Sequence, residues 1–91
     1  MSIKEKKSPV VELNQKEDEF RSLFLYNDEV NTFDFVIETL VDVCEHDAMQ
    51  AENCAWIAHF KGKCPVKNGT FSDLKPRYEE MTNRTLTVEI K

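Results

Sequence analysis

The residues best equipped for chemistry stand in three groups. Asn27-Asp28-Glu29 follows an apolar run, FRSLFLY, and comes just before an apolar-periodic stretch. His59 lies thirty-odd residues on, in AENCAWIAHFKGK. The thiols are Cys44, Cys54 and Cys64, with His46 close to the first of them. An Asn-Asp pair is ordinary turn chemistry, yet the acidic bias here is local. Seven acids and no Lys or Arg lie between Asp28 and Asp47. Most belong to a solvated helix face, but Asp28 and Glu29 fall where a strand gives way to a helix and side chains converge. An acidic, hydrogen-bonding junction beside an apolar helix face suits a cationic ligand that carries an apolar group, such as an α-amino group with its side chain. A zinc set from Cys44, His46, Cys54, His59 and Cys64 lacks CxxC or HxxxH spacing, so no metal and no cofactor is expected. Nothing beside the cysteines would orient a nucleophile, and there is no nucleophile elbow, so a Cys-His hydrolase is not expected either.

Elements that position these groups follow from pattern. Phe20 to Tyr26 reads as an aromatic-rich first strand. Asn31 is placed to cap a helix, with Asp34 in the capping-box position. Phe33, Val36, Ile37, Leu40, Val41 and Cys44 then recur at helical spacing to about His46. Asp47 caps a second helix, with Gln50 three residues on, and Gly62 ends it near Phe60. Its small face is Ala48, Ala51, Cys54, Ala55 and Ala58, which lets a neighbour or a ligand come close. KCPVKNGTF reads as a strand restricted by Pro65 to an edge or an irregular position, with a turn at Asn68-Gly69. A short helix is expected from Pro76 to Asn83, with the proline near its first turn. LTVEI closes the chain as a strand, with Leu86, Val88 and Ile90 on one face. The order β-α-α-β-α-β gives an α+β two-layer sandwich, a three-stranded antiparallel sheet packed by helices.

Ninety-one residues make one small domain. Residues 1–19 carry four bases and five acids and few apolar residues, which reads as a flexible N-terminal extension, with a weak strand through Val10 and Val11 as the alternative. Residues 20–91 form the core domain. A net charge of -5 argues against nucleic acid. No apolar stretch is long enough to span a membrane, and the N-terminus lacks the apolar region of a secretory signal. A monomer in the cytoplasm with free thiols is expected.

LFLYNDEVNTFDFVIETL resembles the start of the ClpS adaptor core, roughly V-x-L-x-N-D-D-x-T-P-M-E-F-V-x-x-V-L, and AENCAWIAHFKGK resembles its A-x-x-x-M-x-x-V-H-x-x-G-x. The separation of the two motifs also fits. ClpS proteins are adaptors that bind N-degrons, proteins with a large apolar N-terminal residue, and hand them to a Clp AAA+ unfoldase of the ClpA or ClpC type. The resemblance implies an adaptor and not an enzyme. It implies that Asn27, Asp28 and His59 hold the peptide α-amine, and that Glu29 and Asn31 contact the peptide. It further implies an apolar pocket of Phe33, Val36, Ala55, Ala58 and Leu86, and a delivery role for the N-terminal extension. Phe33 and Ala55 stand where the family has Met, Thr32 where it has Pro, and the last helix reads as short. The competing expectation is a structural interaction domain like the C-terminal domain of the ribosomal stalk protein, which lacks the Asn-Asp triplet and the downstream histidine.

Overall fold

The computed structural model describes residues 19–91. The N-terminal extension, but for Glu19, and the alternative strand through Val10 and Val11 lie outside the described residues. Strand β1 (Phe20–Tyr26) is followed by α1 (Phe33–Cys44), α2 (Ala48–Lys61), β2 (Lys63–Thr70), α3 (Phe71–Asn83) and β3 (Val88–Ile90). The sheet is antiparallel throughout, in the order β2-β1-β3. Side chains alternate along β1, so Leu23 and Leu25 enter the core. Phe24 faces the other way, under the ammonium groups of Lys63 and Lys91 at 5.4 and 6.0 Å from its ring. One sheet face is thus apolar and covered by helices, which makes the two-layer α+β sandwich that the element order predicts.

Helix ends show which local signals win. Thr32, not Asn31, caps α1, its hydroxyl accepting from the Phe35 amide at 3.1 Å. Both residues suit the position by type, and Asn31 is drawn off by the neighbouring loop. Asp34 then sits in the first turn, where a carboxylate complements the helix dipole. The helix stops at Cys44, two residues short of the expected end, because Glu45 adopts a left-handed conformation with φ of 63°. Asp47 caps α2 as expected, accepting from the Gln50 amide at 2.8 Å. Gly62 ends that helix with φ of 96°, a conformation that glycine tolerates best.

Two expectations about the C-terminal half are corrected. Asn68-Gly69 is not a turn: both residues belong to β2, opposite Ser22 and Arg21, and the Ser22 hydroxyl donates to Asn68 Oδ1 at 2.7 Å. Strand pairing overrides the local turn preference. Helix α3 does not start at Pro76 but at Phe71, with the Thr70 hydroxyl accepting from the Asp73 amide at 3.2 Å. Pro76 stands inside it, six residues beyond the cap, so the last helix has 13 residues rather than the eight or so expected.

β2 is an edge strand, as Pro65 requires. Its register against β1 shifts between Leu23 and Phe24, which pair with Lys67 and Pro65 and leave Val66 as an extra residue. A bulge frees a carbonyl from the ladder. Here the buried His46 ring fills the need, its Nε2–H donating to Val66 O at 2.6 Å. The core joins Leu23 and Leu25 to Leu40, Ala51, Ala58, Val66, Leu74, Met81 and Leu86.

Candidate functional site

Three segments meet at one end of the sheet. β1 stops at Tyr26, whose amide donates to Thr87 O, and the next amide, of Asn27, donates to Gly62 O, both at 2.9 Å. The Asn-Asp-Glu loop is therefore pinned between the approach to β3 and the end of α2. A cleft of about 160 Å³ opens there. Leu25, Asn27, Asp28, Glu29, Asn31, Phe33, Val36, Ala55, Ala58 and His59 line it, together with Tyr26. Nine of the ten residues singled out from the sequence are brought together. Leu86 is the exception: it is buried in the core and does not line the cleft.

Asp28 is the best-held polar group of the cleft. Its Oδ1 accepts from the amides of Val30 at 3.0 Å and Asn31 at 3.1 Å, an Asx turn. Its Oδ2 accepts from the Asn31 side-chain amide at 3.2 Å. A carboxylate oxygen has two lone pairs, so these bonds fix the group and leave Oδ2 room for a further donor. Asn31 is fixed in turn: its Nδ2 donates to Thr85 O at 2.9 Å, and the Thr85 hydroxyl donates to Asn31 Oδ1 at 3.3 Å. Thr85 has φ of 68°, outside the ordinary range for a branched residue. Asn31 thus orients Asp28, a role for which the sequence offers no signal beyond the residue type. Nor does anything in the sequence single out Thr85, which lies 54 positions away.

The apolar side is built from two helices. Phe33 and Val36, half-buried, come from the first turn of α1. Ala55 and Ala58 come from the small face of α2 and are buried. His59 follows on the same helix, exposed, with its ring edge-on to Phe33 at 5.8 Å. Their arrangement offers a carboxylate, an amide and an imidazole at one end of a slot floored by methyl groups. Such a slot is chemically suited to a cation attached to an apolar side chain.

Trp56 stands beside the cleft although neither motif nor spacing marks it as a candidate. Its ring packs on Phe33 at 4.5 Å and stacks on Phe60 at 5.1 Å, with planes only 9° apart. Signal for it existed: Trp56 and Phe60 are four apart on a helix whose buried face is formed by alanines, so their bulk must point elsewhere.

The cysteines do not contribute to this cleft. Cys44 and Cys64 are buried in the core. Burial pushes the Cys44 thiol up to about 11 and the Cys64 thiol up to about 12, the latter helped by a hydrogen bond with Cys54. Among the described residues, no three Cys, His, Asp or Glu side chains form a metal-binding group. None of the described helices is long and apolar enough to cross a membrane.

Comparison with known proteins agrees with this architecture. No curated protein matches the chain significantly. Among solved structures, Agrobacterium tumefaciens ClpS2 bound to L-phenylalaninamide superposes with a TM-score of 0.73 at 18% identity, over 81% of this chain and 99% of that one. At that identity the likeness speaks to the fold. A family model described as ATP-dependent Clp protease adaptor protein ClpS matches residues 15–89. With the match running from just before β1 through nearly all of β3, this chain belongs to the ClpS family of Clp protease adaptors.

Proposed function

We propose that the protein binds polypeptides by a large apolar N-terminal residue and delivers them to a Clp unfoldase of the ClpA or ClpC type. The observation that carries the reading is the Asp28 carboxylate, held by two backbone amides and Asn31 at the mouth of an apolar slot. In this reading the α-ammonium group donates to Asp28 Oδ2, to Asn27 and to His59. The first side chain lies against Val36, Ala55, Ala58 and Phe33. Glu29 adds negative charge at the rim. Asn31 serves mainly through Asp28, not as a separate peptide contact. The ligand named for the Agrobacterium relative, L-phenylalaninamide, has the two features required: a free α-amine and an apolar side chain.

The magnitudes are adequate for a carrier. Burying one large apolar side chain contributes roughly 1.5–3 kcal/mol. Each charge-assisted hydrogen bond adds about 1.5–3 kcal/mol. Two or three such bonds and one anchor sum to roughly 5–12 kcal/mol before the cost of association, which leaves at best about -8 kcal/mol, a micromolar or weaker affinity. An adaptor that must release its cargo needs no more. Nothing in this cycle breaks a covalent bond.

The test is a titration with labelled peptides that differ only at the first residue. Phe or Leu with a free amine should bind near micromolar. The same peptide acetylated at the amine should bind at least about tenfold more weakly, since one charge-assisted bond is worth that much. Equal binding of the Phe, Met and acetylated peptides overturns the proposal.

A further inference from the structure

Three thiols lie in or against the core, and the cleft uses none of them. Cys44 and Cys64 belong to the buried cluster, and Cys54 packs against it from the inner face of α2. They are not equivalent. Cys44 is enclosed, and its S–H is directed to Met81 Sδ at 3.8 Å. Cys64 is enclosed as well, near the start of β2. Cys54 is only half-buried, so solutes can reach it.

The topology brings two of these thiols together. Cys54 shares the inward side of α2 with Ala51, Ala55 and Ala58, all three buried. Helix α2 ends at Lys61 and β2 begins at Lys63, so Gly62 alone joins them, its amide returning to Ala58 O at 2.9 Å. The chain doubles back at once, and β2 packs against α2. Cys64 is the first inward-facing residue of β2, and its thiol meets the Cys54 thiol in a hydrogen bond. One thiol of the pair is open to solutes and the other is closed to them. That is the arrangement of an oxidisable cysteine beside its resolving partner.

We infer that Cys54 and Cys64 are such a pair, which a hydroperoxide converts to a disulfide while the protein stays folded. For hydrogen peroxide the two steps balance. The Cys54 sulfur attacks one peroxide oxygen, the O–O bond breaks, Cys54 becomes a sulfenic acid and the second oxygen leaves as water. The Cys64 sulfur then attacks the sulfenic sulfur. The S–O bond breaks, the S–S bond forms, and the hydroxyl leaves as water with the Cys64 proton. Each sulfur gives up one electron, and the peroxide takes both. The order follows from access: Cys54 meets the dissolved oxidant, and the sulfenic sulfur is then the electrophile beside Cys64. The bridge crosses the turn at Gly62, whose carbonyl also receives the Asn27 amide of the cleft. It ties the helix that bears Ala55, Ala58 and His59 to the edge strand, whatever the cleft binds.

The reduced full chain, treated with hydrogen peroxide in the absence of denaturant, tests it by intact mass and by tryptic digestion without reductant. Trypsin cuts at Lys61 and Lys63, between the two cysteines. The expected product is a monomer lighter by about 2 Da, for two hydrogens. In it the Cys54 peptide is joined to the Cys64 peptide, and dithiothreitol restores the starting mass. Dimedone, which captures sulfenic acids, should label Cys54 in Cys64→Ala and leave the full chain unlabelled. Circular dichroism melts establish that the variant is folded, and the full-chain mass decides the matter if it is not. A full chain that stops at a sulfenic or sulfinic acid on Cys54 overturns the inference. So does a bridge to Cys44, a disulfide between two chains, or a bridge that forms only in urea. An unchanged mass under conditions that oxidise glutathione overturns it too.

Discussion

Asp28 does two jobs that a pair of substitutions separates. Its Oδ1 accepts two backbone amides of its own loop, and its charge faces the cleft. Asp28→Asn keeps an acceptor for the turn and removes the charge. Its melting temperature should stay close to that of the parent, while affinity for a Phe-initiated peptide falls about ten- to a hundredfold. Asp28→Ala removes the turn acceptor as well and should cost a further ~1 kcal/mol of stability, as loss of a capping side chain does. Asn31→Ala leaves the charge in place but unties it from Thr85 O. Calorimetry should show a smaller loss of affinity, about three- to tenfold, because the carboxylate must then be ordered by the ligand. An Asn31 variant as damaging as Asp28→Asn would make Asn31 a direct ligand. Residue type and spacing marked Asp28 and Glu29 at a strand-to-helix junction and put Phe33, Val36, Ala55 and Ala58 on helix faces, while the ClpS resemblance is what implied the roles of Asn27, Asp28, His59 and the pocket residues. They did not reveal that Asn31 and Thr85 form the support, since that contact spans 54 positions and depends on where the last loop returns. Leu86 was misjudged for a related reason. The resemblance implied it as a pocket wall, but β3 begins only at Val88, and Leu86, two residues before it, turns into the core.

At the level of elements, Gly62 joins the end of α2 to the site. It takes φ of 96°, and a Cβ there would meet nothing within 4 Å. Gly62→Ala therefore costs backbone strain without a clash, about 1–2 kcal/mol in urea unfolding. Its carbonyl also receives the Asn27 amide, so the same variant should loosen the amine end of the cleft. A stability loss with unchanged peptide affinity would show that the two are independent. Boundaries are legible where a single local signal stands unopposed, as in the aromatic run of β1 and at the Asp47 cap. They were misread where two signals compete. Asn31 and Thr32 both suit a cap, and the loop claimed the first of them. Thr70 with Asp73 is a helix start overlooked beside Pro76, because proline is commonest in a first turn and only the folded chain shows it further in. Asn68-Gly69 is a strong local turn signal that lost to pairing with β1.

Across the whole molecule, the thiols couple stability to pH at the alkaline end. The Cys44 and Cys64 thiols are held up to about 11 and about 12 by burial, whereas in the unfolded chain they ionise near their ordinary value of about 9. Between about 9 and 12 the folded state keeps protons that the unfolded state has lost, so the stability slope with pH is negative there. Their contribution is complete below about 9 and is lost as pH rises through the folded values. Urea midpoints should be flat from pH 7 to 8.5 as far as these groups go, and fall by pH 10.5. A thiol reagent at pH 8 should modify the half-buried Cys54 quickly and the other two only on unfolding. Three equally fast thiols would show that the core opens readily.

The bulge at Val66 and the proline beside it have a consequence for selectivity. An open sheet edge is a template that captures extended chains anywhere along their length, whatever their ends. In β2 one donor is missing at Pro65 and the ladder is out of step by one residue, while β3 offers only three residues on the opposite flank. Neither flank presents a long regular row of amides and carbonyls. On the function proposed above, recognition of where a polypeptide begins, these flanks keep the protein from holding a chain by its middle.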